Sequence, residues 1–249
     1  MRWTTFAATP RFYALTGYLI PGFWAVAALL GLAGLGLGLG LAPSDFQQGN
    51  VYRIIFIHVP AAWMSMVIYV AMAFWATVGW AAKVRVASML ARALAPTGTL
   101  FTVITLWTGS LWGKPTWGTW WVWDAKLTSY FVLLLLYIGY LALTSTIEER
   151  RRSDGAGAIV ALVGVVNIPI IYFAAVWWNS LHQGPSVPLN AAPKIATSML
   201  TAMLLMTFSF WSYAFAVVFT RTRALVLEEE SHTEWVQSLR ARRPSMNRH

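Results

Sequence analysis

The sequence has no cysteine in 249 residues. That excludes a disulfide framework, a thiolate metal centre, a Cys-x-x-Cys redox pair and any thioether-linked prosthetic group. Charge is also scarce. Lys, Arg, Asp and Glu make up 11% of the chain and apolar residues 58%, whereas a soluble domain carries charge on about a quarter of its residues. The composition is that of a polytopic membrane protein. No GxxxxGK[ST] phosphate loop is present, so an ATP-driven step would need another subunit. No hydrolase triad or metal-hydrolase spacing appears, and the apolar segments hold almost no ionisable group at mid-depth, which argues against a proton-coupled pump. The expectation is a protein that is not an enzyme.

The apolar segments predict an all-α fold of six transmembrane helices at about 19–41, 57–80, 93–111, 127–147, 158–178 and 195–219. Residues 1–220 then form a six-helix membrane domain and 221–249 a cytoplasmic C-terminal tail, a short helix followed by a flexible end. The first segment closes on Gly34-Leu-Gly-Leu-Gly-Leu-Gly40. An isolated strand cannot satisfy its backbone in lipid, so this stretch reads as helix, with Gly34 and Gly38, and Gly36 and Gly40, forming a ridge for close helix contact. Residues 43–55 read as a polar loop, Pro60 as part of the first turn of the second helix, and 148–157 as a charged, glycine-containing turn.

An even number of spans puts both termini on one side. Fourteen of the 18 Lys and Arg fall on the termini and the connections at 81–92 and 148–157; the opposite face has Arg53, Lys114, Lys126 and Lys194. That imbalance makes the fourteen-charge side cytoplasmic, and it explains the net charge of +9 as a topology signal rather than a nucleic-acid footprint.

What the chain has in excess is tryptophan, 15 residues, five of them in Trp112-Gly-Lys-Pro-Thr-Trp117-Gly-Thr-Trp120-Trp121-Val-Trp123-Asp124. A membrane-interface belt accounts for one or two such rings; five in this space suit a platform for a large flat ligand. If the chain is helical from Trp117 onward, Trp117, Trp120, Trp121 and Asp124 share one face at i, i+3, i+4, i+7. Asp124 then orients an indole or a histidine, or simply caps the next helix.

Of four histidines, His232 and His249 lie in the tail. His58 and His182 lie in the two outer connections that flank the tryptophan segment, each at the end of a span. Singly each is an ordinary interfacial imidazole; as a pair beside an aromatic platform they look like two axial ligands of one haem iron. Arg53, Lys114, Lys126 and Lys194 outnumber Asp45 and Asp124 on this face by two, which matches two propionates, although any one of them also suits a snorkelling anchor. Membrane cytochromes that carry electrons hold haem between mid-membrane histidines, and no span here has one.

Trp117-Gly-Thr-Trp-Trp-Val-Trp-Asp124-Ala-Lys-Leu-Thr128, with Ile57-His-Val-Pro-Ala-Ala-Trp63 and the Leu181-His-Gln-Gly turn, resembles the WWD-signature haem-handling proteins, in particular the haem exporter protein C (CcmC) family of bacterial cytochrome c maturation. The likeness covers about residues 15–220. It implies an inner-membrane protein that binds haem b non-covalently at the periplasmic face, with His58 and His182 as bis-His iron ligands and the segment at 112–128 as the haem-binding signature, including Trp112, Trp117, Trp120, Trp121, Trp123 and Asp124. It also implies delivery of haem to the periplasmic chaperone CcmE, with the ATPase CcmA, the membrane subunit CcmB and the small membrane protein CcmD as partners. Lys126 departs from the arginine of the family pattern, keeping the charge without the bidentate fork; Lys126 and Arg53 are the candidate propionate partners. The longer relatives that ligate haem to apocytochrome c have more spans and more histidines. Two readings from other classes are a permease subunit that moves haem or a small solute through the membrane, and a structural transporter subunit whose tryptophans dock a partner.

Overall fold

The computed structural model describes residues 8–178, 180–182, 187, 192–193 and 195–241. Among these the fold is all-α. Six helical segments are long and apolar enough to cross a bilayer, as expected: 9–41, 50–82, 85–117, 125–146, 150–177 and 197–229. The helices are α1 (Thr9–Leu35), α2 (Ile55–Ala82), α3 (Arg85–Trp117), α4 (Ala125–Thr146), α5 (Arg150–Val165), α6 (Asn167–Trp177), α7 (Thr197–Glu229) and α8 (Glu234–Ala241). At about 1.5 Å rise per residue even α4 reaches across the roughly 30 Å hydrocarbon layer.

Most segments run further than hydropathy predicts, because helices continue into the polar layer where their ends find partners. The supposed turn at 148–157 is the start of α5, with Ser153 Oγ donating to the Thr144 carbonyl at 2.9 Å. The polar loop at 43–55 closes in a 3-10 turn, Asn50–Ile54, that runs straight into α2. Pro60 therefore lies in the second turn of α2, not the first. The fifth span is interrupted at Val166, whose N–H reaches back only to Val163 at 3.4 Å. Pro169 explains the break: it has no N–H to offer the Val165 carbonyl, and its ring crowds that carbonyl. The division drawn at residue 220 falls inside α7, which continues unbroken to Glu229. The tail does include a short helix, α8; residues 242–249 lie outside the described part, as does Lys194.

α2 and α3 form the centre and pack on each other; α7 covers both and carries α1 on its outer side, while α4, α5 and α6 close the opposite flank. The glycine ridge of the first span is half used. A Cβ at Gly34 would stand 2.9 Å from Met206 of α7, and one at Gly38 2.6 Å from the Phe56 ring, whereas Gly36 and Gly40 face open space. The run Gly36–Leu41 is helical, as predicted, but wound as a π-helix.

The bundle has two distinct ends. At one, α3 and the start of α5 are joined to the end of α7 by ion pairs: Arg92 to Glu229 at 2.5 Å, Arg150 to Glu229 at 3.5 Å and Arg85 to Glu230 at 3.5 Å. There too Arg223 donates to the Tyr13 carbonyl and lies over the Tyr13 ring. The other end holds His58, His182 and the tryptophan segment.

Candidate functional site

The tryptophan segment is split between a helix end and a loop. α3 carries Trp112 and Trp117 and stops at Gly118, which takes the left-handed conformation (φ 79°) and returns its N–H to the Lys114 carbonyl at 3.1 Å. Thr119 then folds on itself, its hydroxyl donating to the Trp121 carbonyl at 3.1 Å. The i, i+3, i+4, i+7 face from Trp117 to Asp124 does not form, because glycine ends the helix where the pattern begins. Asp124 caps the next helix instead: Oδ1 accepts the Leu127 N–H at 2.8 Å.

The five indoles consequently divide. Trp112, Trp117 and Trp121 line one cavity together with His58 and His182, while Trp120 (55% exposed) and Trp123 (74% exposed) face outward. Trp112 is buried, donates its Nε1–H to Gln48 Oε1 at 2.6 Å and stands edge-on to both Tyr52 and His58. Trp117 tilts against His182 with ring centres 6.2 Å apart. The Nε1 of Trp121 is buried and has no hydrogen-bond partner among the described residues, which a protein interior rarely leaves so unless something else supplies an acceptor.

His58 and His182 come together from chain positions 124 residues apart. Their ring centres are 6.3 Å from one another, with the planes tilted by 32°. Two metal–nitrogen bonds of about 2 Å each, with the radii of two imidazoles added, span roughly the same distance. His58 lies against α3, where Gly109 makes room: a Cβ there would be 3.1 Å from His58 Cε1. His58 Nδ1 is 3.0 Å from Thr108 Oγ1. The Thr108 hydroxyl has one hydrogen, and the 2.6 Å contact with the Ile104 carbonyl uses it. Oγ1 must therefore accept from His58, so the proton sits on Nδ1 and the lone pair on Nε2. That is the tautomer a metal ligand needs, held by a second contact on its far nitrogen.

His182 is set by its own turn. Its N–H donates to Ser180 Oγ at 3.1 Å, and Ser180 in turn donates to Asp124 Oδ2. One carboxylate thus caps α4 and ties the histidine turn to the tryptophan segment.

The basic candidates are placed differently from one another. Arg53 is engaged elsewhere: Nη1 donates to the Gly38 carbonyl at 2.5 Å, Nη2 to Ala42 at 2.8 Å and Nε to Asn50 Oδ1 at 3.1 Å, closing the end of the π-helical turn. Lys114 bonds the Gly118 carbonyl and stands 5.9 Å over the Trp120 ring. Lys126, in the first turn of α4, is half-buried and within electrostatic reach of both Asp124 and His58. Sequence reasoning missed Gln48, Thr108, Gly109 and Ser180. Thr102, Thr105 and Thr108 recur every third residue along α3, a polar stripe in an apolar helix that does point toward His58; nothing local marks the other three.

The family model described as heme exporter protein C matches residues 2–237. The chain is similar to heme exporter protein C of Escherichia coli K12, 43% identical over 233 residues, covering 94% of each chain. It is similar as well to the protein of that name from Haemophilus influenzae, 41% identical over 227 residues (91% of this chain, 92% of the relative), and from Bradyrhizobium diazoefficiens, 40% identical over 232 residues (92% and 85%). With six membrane-length helices and a match over nearly its whole length, this chain belongs to the heme exporter protein C family, CcmC.

Proposed function

We propose that this chain takes part in haem export for cytochrome c maturation by holding haem at the periplasmic face of the bacterial inner membrane. In this reading His58 and His182 are the two axial ligands of the iron, and haem passes from here to the chaperone CcmE. The spacing of the two imidazoles, 6.3 Å between ring centres, is the observation that carries it. The tautomer of His58, the edge-on Trp112 and the unpartnered Nε1 of Trp121 support it.

Haem is cargo here, and the cavity of about 70 Å³ is smaller than a porphyrin, so in this reading the disc would not be fully enclosed by it. Lys126 is the better placed of the two propionate candidates, since Arg53 spends its donors on backbone carbonyls. The protein is a binding and transfer protein and no enzyme: it has no nucleotide motif, so ATP hydrolysis falls to CcmA, acting with CcmB and CcmD.

The test is the absorption spectrum of the detergent-purified protein. A six-coordinate bis-His haem spectrum is expected, with His58→Ala and His182→Ala each losing haem or changing the spectrum. Unaltered haem content and spectrum in both variants would remove the assignment.

A further inference from the structure

The basic end of the bundle contains a second, larger cleft, about 580 Å³, between the end of α2, the starts of α3 and α5, and the end of α7. Five basic side chains, Lys83, Arg85, Arg92, Arg150 and Arg151, line it against two acids, Asp154 and Glu229. The acids do not use up the cations. Glu229 serves Arg92 and Arg150 together, Arg85 pairs with Glu230 outside the cleft, and among the described residues neither Lys83 nor Arg151 makes an ion pair.

The decisive group is Arg92. Its side chain is 9% exposed, Nη2 bonds Glu229, and both Nε and Nη1 are buried without a hydrogen-bond partner among the described residues, the nearest Asp154 oxygen standing 3.6 Å from Nε. A buried guanidinium with two idle donors is costly unless an acceptor arrives from outside. Two helices begin at this cleft, α3 and α5. α3 has no side-chain cap and no acid in its first turn, so the positive end of its dipole is open, whereas α5 has Glu149 at its N-cap position.

We infer that this cleft binds a phosphate group. A local excess of two positive charges once Arg85 is paired with Glu230, idle arginine donors and the open start of α3 together match a tetrahedral oxyanion with several acceptors. A phospholipid headgroup is the source the surroundings favour: the cleft lies at a bundle end, where basic pockets between membrane helices meet anionic lipid, and Trp80, half-exposed, forms part of its wall against Gly155. The inference does not depend on the haem reading.

The test uses the full chain purified in detergent, incubated with phosphatidylglycerol or phosphatidylcholine at equal mole fraction, with retained lipid counted by native mass spectrometry. Lys83→Asn/Arg151→Gln removes two cleft charges and leaves the Arg92–Glu229 pair in place; Arg152→Gln/Arg240→Gln removes two charges outside the cleft. The wild type is expected to prefer phosphatidylglycerol, the cleft variant to lose that preference about tenfold, and the control to keep it. Displacement of the lipid by millimolar inorganic phosphate, or protection against heating by phosphate alone, would assign the site to a soluble phosphate. The inference is overturned if neither anion binds the wild type better than phosphatidylcholine, if the cleft variant keeps the wild-type preference, or if the control loses as much.

Discussion

Asp124 and Ser180 are hydrogen-bonded across 56 positions of sequence, the serine hydroxyl donating to Oδ2 while Oδ1 of the same carboxylate caps α4. Through this pair the loop that carries His182 is fixed to the loop that carries the tryptophans. Ser180→Ala leaves the helix cap intact and frees the His182 backbone. Haem affinity should fall roughly three- to tenfold, the worth of one ordinary hydrogen bond, with little change in the thermal midpoint. Haem titration of the variant beside its melting curve checks this; unchanged affinity would mean the loop is positioned otherwise.

Thr108 fixes the tautomer of His58, so Thr108→Val should weaken haem binding by removing the hydroxyl that accepts from Nδ1–H, at a cost of about 1 kcal/mol. Thr108→Ser keeps the hydroxyl and should bind like the wild type. Equal binding by the valine and serine variants would separate the hydroxyl from the imidazole's role.

Position, rather than residue type, should decide what each tryptophan contributes. Trp112→Phe removes the indole N–H that bonds Gln48 inside the cavity wall and should lower haem occupancy. Trp123→Phe alters a ring that is 74% exposed and should leave occupancy and spectrum unchanged. Purified haem content measured side by side distinguishes the two.

Two helical glycines should respond oppositely to alanine. A Cβ at Gly98 would lie 2.1 Å from the Tyr137 hydroxyl, which is fully buried and donates to the Ser65 carbonyl at 2.8 Å. Gly98→Ala therefore overpacks the α3–α4 contact and should cost about 1–3 kcal/mol. A Cβ at Gly139 meets nothing within 4 Å, so Gly139→Ala should be neutral or gain up to about 1 kcal/mol in helix propensity. Thermal unfolding in detergent reads both.

The span count and fold class follow from sequence alone, because a bilayer forces every backbone polar group to be satisfied within its own segment and so turns long apolar runs into helices whatever their neighbours are. For the same reason the Gly34–Gly40 run is helical despite its strand-like alternation. The choice of His58, His182 and the tryptophan segment as the candidate site was also legible, since these residue types are out of place in an apolar chain. Tertiary structure decided the rest. It brings the two imidazoles to 6.3 Å, turns three indoles inward and two outward, assigns Asp124 to a cap and a serine, and diverts Arg53 to backbone carbonyls. Each of these depends on where a helix stops or on a partner more than ten residues away. Gly118 breaks the periodicity on which the face from Trp117 was built, and no local pattern records that Thr108, fifty positions from His58, selects which nitrogen of the ring is left for a metal.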